Sequence, residues 1–145
     1  MRLEYRLAES PKNSYDWPHA DEEDFRYRVA LGDLILEIGP TNFSTNWGWI
    51  PLVDLAVCFR HIAKKLQHPG RTETFEFTES ESWLRFSREE GEVLITSSYS
   101  TGTARAEYTR FVQAIERLNK QLRADLLQLN PELPKNAAFQ KLLPE

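Results

Sequence analysis

Three features of this 145-residue sequence predict an α+β fold on an antiparallel sheet. Runs with a period of two recur along most of the chain, and tight-turn residues separate them. A helical pattern of apolar residues interrupts those runs once, near the middle. A much longer helical pattern follows the last of them. Strands joined by short turns pair as antiparallel neighbours, and each helix must bury its apolar stripe on a sheet face. The expected architecture is a single domain over 1–145. It has a sheet of about six or seven strands, one inserted helix, one long C-terminal helix and a short closing helix. Hydrophobic residues at 41% and aromatics at 12% are enough to build the core this requires.

Leu3, Tyr5 and Leu7 alternate with Arg2, Glu4 and Arg6, the pattern of a half-buried strand. Residues 8–24 hold prolines, polar residues and a run of acids, and read as a loop. Phe25, Tyr27, Val29 and Leu31 form a second alternating run, and Leu34, Leu36 and Ile38 a third. Gly32-Asp33 lies between them, and glycine at the first central position of a two-residue loop predicts a hairpin turn. Gly39-Pro40 ends the second arm, and a loop runs from Thr41 to Trp49.

Pro51 suits a first helical turn, where its missing N–H is no loss. Leu52, Leu55, Ala56, Phe59, Ile62, Ala63 and Leu66 then recur at three and four residues, predicting a helix over 51–67. His68-Pro69-Gly70 stops it. Alternation places strands at 73–77, 82–87 and 92–99, with a short one at 103–106. From Glu107 the period changes to three and four through Tyr108, Phe111, Ile115, Leu118, Leu122, Leu126 and Leu129, without Gly or Pro. This predicts a helix over 107–129, about 34 Å long at about 1.5 Å per residue. Residues 134–143 read as the closing helix.

The chain carries 18 basic and 22 acidic residues, a net charge of −4. That balance argues against a general nucleic-acid binder. One cysteine excludes an internal disulfide and every multi-cysteine zinc pattern. The N-terminal residues alternate charge with apolar side chains and lack the apolar run of a signal peptide. The apolar stretch 50–59 is too short to span a bilayer. A cytoplasmic protein without cofactor, metal or membrane contact is the expectation.

Asp54, Cys58 and His61 share one side of the first helix, and a thiol beside imidazole and carboxylate is the composition of an activated nucleophile. The weightier reading makes Cys58, between Val57 and Phe59, an inert packing residue. Arg110, Arg117, Lys120 and Arg123 mark a basic side of the long helix, read as a solvated face. Acidic residues gather in two places: Asp16 with Asp21, Glu22, Glu23 and Asp24, and Glu76 with the turn bearing Glu79 and Glu81. Such loops have two readings of equal weight: they steer a basic partner and raise its association rate, or they simply keep the protein soluble. Trp47-Gly48-Trp49 supplies aromatic residues of the kind that anchor interfaces; one tryptophan is expected in the core and the other partly exposed.

Phe75-Glu76-Phe77, Trp83-Leu84-Arg85-Phe86 and Gly91-Glu92-Val93-Leu94-Ile95, followed by the long helix from Tyr108 to Leu129, form a recognisable layout. Over residues 71–129 it resembles small bacterial immunity proteins of polymorphic-toxin and contact-dependent inhibition systems. The resemblance implies a cytoplasmic inhibitor that binds one cognate toxin and performs no chemistry. The leading expectation is therefore a non-enzymatic protein-binding module. Its partner would be a basic toxin domain, met by Asp21–Asp24, Trp47, Trp49, Glu79 and Glu81. A small-molecule site at the Trp47/Trp49 loop is the alternative, and an enzyme centred on Cys58 and His61 the remote one.

Overall fold

The computed structural model describes residues 1–8, 17–78 and 80–145. It is an α+β fold with two antiparallel sheets of four strands each. The first sheet is built around β2 (Leu31–Ile38), which pairs with β1 (Arg2–Leu7) on one side. On the other side β2 meets two short segments, β3 (Thr41–Asn42) and β4 (Ile50–Pro51). The second sheet is a meander of β5 (Thr72–Glu76), β6 (Trp83–Glu89), β7 (Glu92–Ser97) and β8 (Ala104–Glu107). The anticipated six- or seven-stranded sheet is thus divided in two.

The helices α2 (Leu52–Lys65) and α3 (Tyr108–Leu129) follow the apolar spacing closely. They pack on each other, and each reaches both sheets: α2 meets β2 and β5, and α3 meets β1 and β8. Phe59 of α2 makes edge contacts with Phe75 and Phe86, whose ring in turn meets Phe111 of α3. Leu118, at the middle of α3, is 3% exposed.

The expected hairpin over 25–38 does not form. Asp21 instead caps a short helix, α1 (Glu22–Tyr27), its carboxylate accepting from the Asp24 N–H. Acids in the first turn complement the helix dipole there. Phe25 points inward and meets Phe139 edge-on. Gly32 lies inside β2, paired with Leu7 and Ile50. A Cβ at position 32 would stand 1.9 Å from the carbonyl oxygen of Arg6. The glycine is there because two backbones touch, a use of glycine in strands distinct from its use in turns. The loop foreseen for residues 8–24 also gives way, in its described part, to a 3-10 turn at Trp17–His19 and to the start of α1.

The closing segment is a 3-10 turn (Leu133–Lys135) followed by α4 (Ala137–Leu142). Between them sits Asn136, 4% exposed. Its side-chain oxygen accepts from Ala138 and Phe139 and caps α4, while its amide donates to the carbonyls of Trp17 and Ala20. Arg123, assigned to a solvated face, instead lies over the Phe139 ring at 4.9 Å and donates to the Leu143 carbonyl. A guanidinium holds both contacts at once because its face stacks while its edge donates.

Candidate functional site

The loop from Phe43 to Trp49 joins β3 to β4 and is fastened along β2. The Leu34 N–H donates to Thr45 Oγ1, the Leu36 N–H to Ser44 Oγ, and the N–H groups of Phe43 and Thr45 donate to Leu36 and Leu34 carbonyls. Polar side chains thus continue the ladder where a regular strand would have used its backbone. Asp33, 7% exposed, completes the fastening. Its Oδ1 accepts from the Gly48 N–H at 2.8 Å and from the Thr45 hydroxyl at 3.3 Å, with Arg6 4.0 Å from its other oxygen. A buried carboxylate needs such donors to offset lost hydration. Gly48 has φ +77°, which only glycine adopts at little cost, and it allows the chain to reverse between the two tryptophans.

That reversal stacks Trp47 on Trp49, with ring centres 5.4 Å apart and planes at 17°. Trp47 is also met edge-on by Phe77, at the end of β5, and by Tyr99, beyond β7. The Tyr99 hydroxyl donates to the Phe43 carbonyl at 2.6 Å, and burial raises its pKa. Both tryptophans are half-buried. The division into one core and one partly exposed tryptophan is therefore incorrect: stacking makes each ring shield the other.

The acidic candidates fall into separate places. Phe77 leads directly into the turn that carries Glu81, which is exposed, so this turn adjoins the tryptophan pair. Asp16 and Glu79 lie outside the described residues. The Asp21–Asp24 run belongs to α1, which packs on α2 and α4. Three of its carboxylates already have structural partners: Asp21 caps the helix, Glu22 pairs with Lys141 at 3.0 Å, and Asp24 pairs with Arg28 at 2.6 Å. Glu23 is exposed and makes no ion pair among the described residues. A sequence signal for this existed: Asp21 followed by an acidic first turn is a helix start as much as an acidic loop.

Asp54, Cys58 and His61 share the side of α2 nearest α1, and α1 brings in Arg26. Its guanidinium donates to Asp54 Oδ1 at 2.6 Å and to Cys58 Sγ at 3.5 Å, and the thiol in turn contacts Asp54 at 3.5 Å. Desolvation, and then the Asp54 charge, push the Cys58 pKa up to about 11. A thiol so raised is protonated near neutrality, the opposite of an activated nucleophile. Cys58 makes no hydrogen bond to His61 among the described residues. Burial, reinforced by Arg60 and Arg26, lowers the His61 pKa.

A cleft of about 250 Å³ lies between β1 and α3. Its walls include Leu3, Glu4 and Tyr5 on one side and Arg117, Gln121 and Asp125 on the other. The Tyr5 hydroxyl and the Gln121 amide both donate to the Asp125 carboxylate. Among the described residues no group of three or more His, Cys, Asp or Glu is placed to hold a metal, and no helix is long and apolar enough to cross a membrane. No protein-family model, curated protein or solved structure matches this chain.

Proposed function

We propose that the protein is a non-catalytic binding module of the immunity type, a cytoplasmic inhibitor that neutralises one cognate toxin by direct contact. The observation that carries this reading is the Trp47–Trp49 stack, half-open to solvent on a loop that Asp33, Thr45 and Ser44 hold in place. Two aromatic rings fixed before a partner arrives lose little conformational entropy on binding, which is the property of an interface anchor. Glu81 on the adjoining turn and Glu23 on α1 are exposed carboxylates that favour a basic partner. The resemblance of residues 71–129 to immunity proteins gives the partner its class.

The test uses the product of the neighbouring gene, or its C-terminal domain, titrated against this protein by calorimetry. Trp47→Ala and Trp49→Ala are each expected to weaken binding by at least about tenfold, the scale of a hot-spot residue. Glu23→Gln with Glu81→Gln is expected to slow association and flatten its salt dependence. A neighbouring product that does not bind, or binding that ignores both tryptophans, overturns the reading.

A further inference from the structure

Among the described residues β1 is an edge strand, paired only with β2. The Ala8 N–H donates to the Leu31 carbonyl, which fixes the alternation of hydrogen bonds along the β1–β2 pair. Arg2, Glu4, Arg6 and Ala8 direct their backbone groups toward β2. Leu3, Tyr5 and Leu7 direct theirs outward, where no backbone group meets them among the described residues. Unpaired edges of this kind are templates for another strand.

We propose that the strand this edge accepts is β1 of a second copy of the chain, running antiparallel about a two-fold axis at Tyr5. Register favours this pairing. Pairing Tyr5 with Tyr5 places Leu3 opposite Leu7 of the second copy, so every outward N–H and C=O finds a mate. The same register places Glu4 opposite Arg6 of the second copy, and Arg6 opposite its Glu4. These are non-hydrogen-bonded positions, where facing side chains come closest. Both residues are exposed on the outer face of the sheet, with Arg2, Asp33 and Glu37 as the other charges there. Glu4 shares one oxygen with Arg2 at 3.0 Å and keeps the other for a second cation.

Neighbouring registers are worse. Sliding by two residues one way sets Glu4 against Glu4 and Arg2 against Arg6. Sliding by two the other way sets Arg6 against Arg6. The favoured register alone satisfies the backbone, the charges and the apolar positions over the length of the strand. On the inner face the incoming Leu7 lies opposite Leu3, beside the cleft between β1 and α3, which provides room for it. The tryptophan loop is on the far side of β2 from β1, so a dimer formed this way leaves both copies' Trp47 and Trp49 open. The inference is independent of the function proposed above.

The seam is short, so the dimer is expected to be weak and concentration-dependent. Sedimentation equilibrium of the full chain, from low micromolar to near-millimolar concentration, is expected to show a monomer–dimer equilibrium. Glu4→Arg and Arg6→Glu each create two facing like-charge pairs and are expected to weaken it by about tenfold or more. The double variant Glu4→Arg/Arg6→Glu restores opposite charges and is expected to recover dimerisation to within a few-fold. Both positions are exposed, but Arg6 stands 4.0 Å from the buried Asp33, so Glu4→Arg, with an unchanged thermal midpoint, is the variant that separates loss of dimer from loss of fold. A monomer throughout the range overturns the proposal and leaves the edge to a different strand. A dimer indifferent to the single reversals, or a double variant no better than either single one, also overturns it.

Discussion

In the second sheet each strand is bonded to the one before it in the chain, from β5 through β8. In the first, β2 gathers β1 from the N-terminal end, β3 across a tight turn and β4 across the tryptophan loop. The second sheet closes its ladder mostly with backbone groups, with the Ser98 hydroxyl accepting from the Trp83 N–H at one end, and packs phenylalanines beneath it. The first closes part of its ladder with the side chains of Ser44 and Thr45 and a buried aspartate. A meander is local and forgiving, because each strand brings its own neighbour. A sheet assembled from distant pieces depends on a few exact contacts, and those contacts here also hold the aromatic stack. The tryptophan stack, the outer edge of β1 and the buried Asp33 all belong to the first sheet, while Glu81 lies on the turn between β5 and β6.

The contrast can be broken outright at the seam both sheets share. Leu118→Asp places a charge in the packed centre of α3, at a cost of several kcal/mol against a total of about 5–15 kcal/mol. Loss of the cooperative urea transition, followed by circular dichroism, is the expected result; a cooperatively folded variant would show that this stripe is not core. The next largest effect separates the sheets. Gly32→Ala drives a methyl group into the Arg6 carbonyl and is expected to cost about 3 kcal/mol or more. Gly91→Ala in the β6–β7 turn meets nothing within 4 Å, and its urea midpoint is expected to stay close to that of the parent.

Asp33→Ala tests whether the tryptophan loop depends on its buried anchor. Removing the acceptor for Gly48 and Thr45 is expected to cost about 1–3 kcal/mol and to shift tryptophan emission to the red. Emission like the parent's would show that the stack holds without Asp33.

Cys58 provides a smaller, pH-dependent signal from the α1–α2 contact. The folded thiol keeps its proton to about 11, against an ordinary value of 9.0 in the unfolded chain. Its contribution to stability is therefore intact below pH 9 and is lost as pH rises from 9 toward 11. Cys58→Ala is expected to flatten that decline. Near neutral pH, thiol reagents are expected to label the native protein slowly and the denatured protein quickly; rapid native labelling would show a reactive site.

The smallest effects divide the acidic run. Asp21→Ala removes a helix cap and is expected to cost about 1 kcal/mol, whereas Glu23→Gln is expected to stay within about 0.5 kcal/mol. Equal melting midpoints for the two variants would remove the cap from the account of α1.

The legibility of the sequence follows the same divide. Strands at 73–77, 82–87, 92–99 and 103–106 and the helix at 107–129 agree with the structure within a few residues, because local alternation and spacing reflect local pairing. Residues 25–38 misled for two physical reasons. A helix as short as α1 shows too little of its period to outweigh the alternation of Phe25, Tyr27, Val29 and Leu31. Gly32-Asp33 has the composition of a turn, yet its glycine answers to Arg6, distant in the chain, and its aspartate to Thr45 and Gly48. At the candidate site, the sequence marked Trp47 and Trp49 by residue type. It carried no sign that they stack, that Asp33 anchors their loop, or that Arg26 reaches Asp54 and Cys58. Each of these depends on contacts between separated segments.

Asn136 has a consequence for the order in which the protein is made. It bonds the carbonyl of Trp17, 119 positions earlier, and that of Ala20, 116 positions earlier. Phe25 likewise waits for Phe139. During vectorial synthesis the segments of the meander and of α3 are made before these partners are. The turn at Trp17–His19 and α1 are therefore made early and sealed late. Until residues 136 and 139 are added, Trp17 and Phe25 lack contacts that help to cover them in the finished fold, so a surface made early stays open until late.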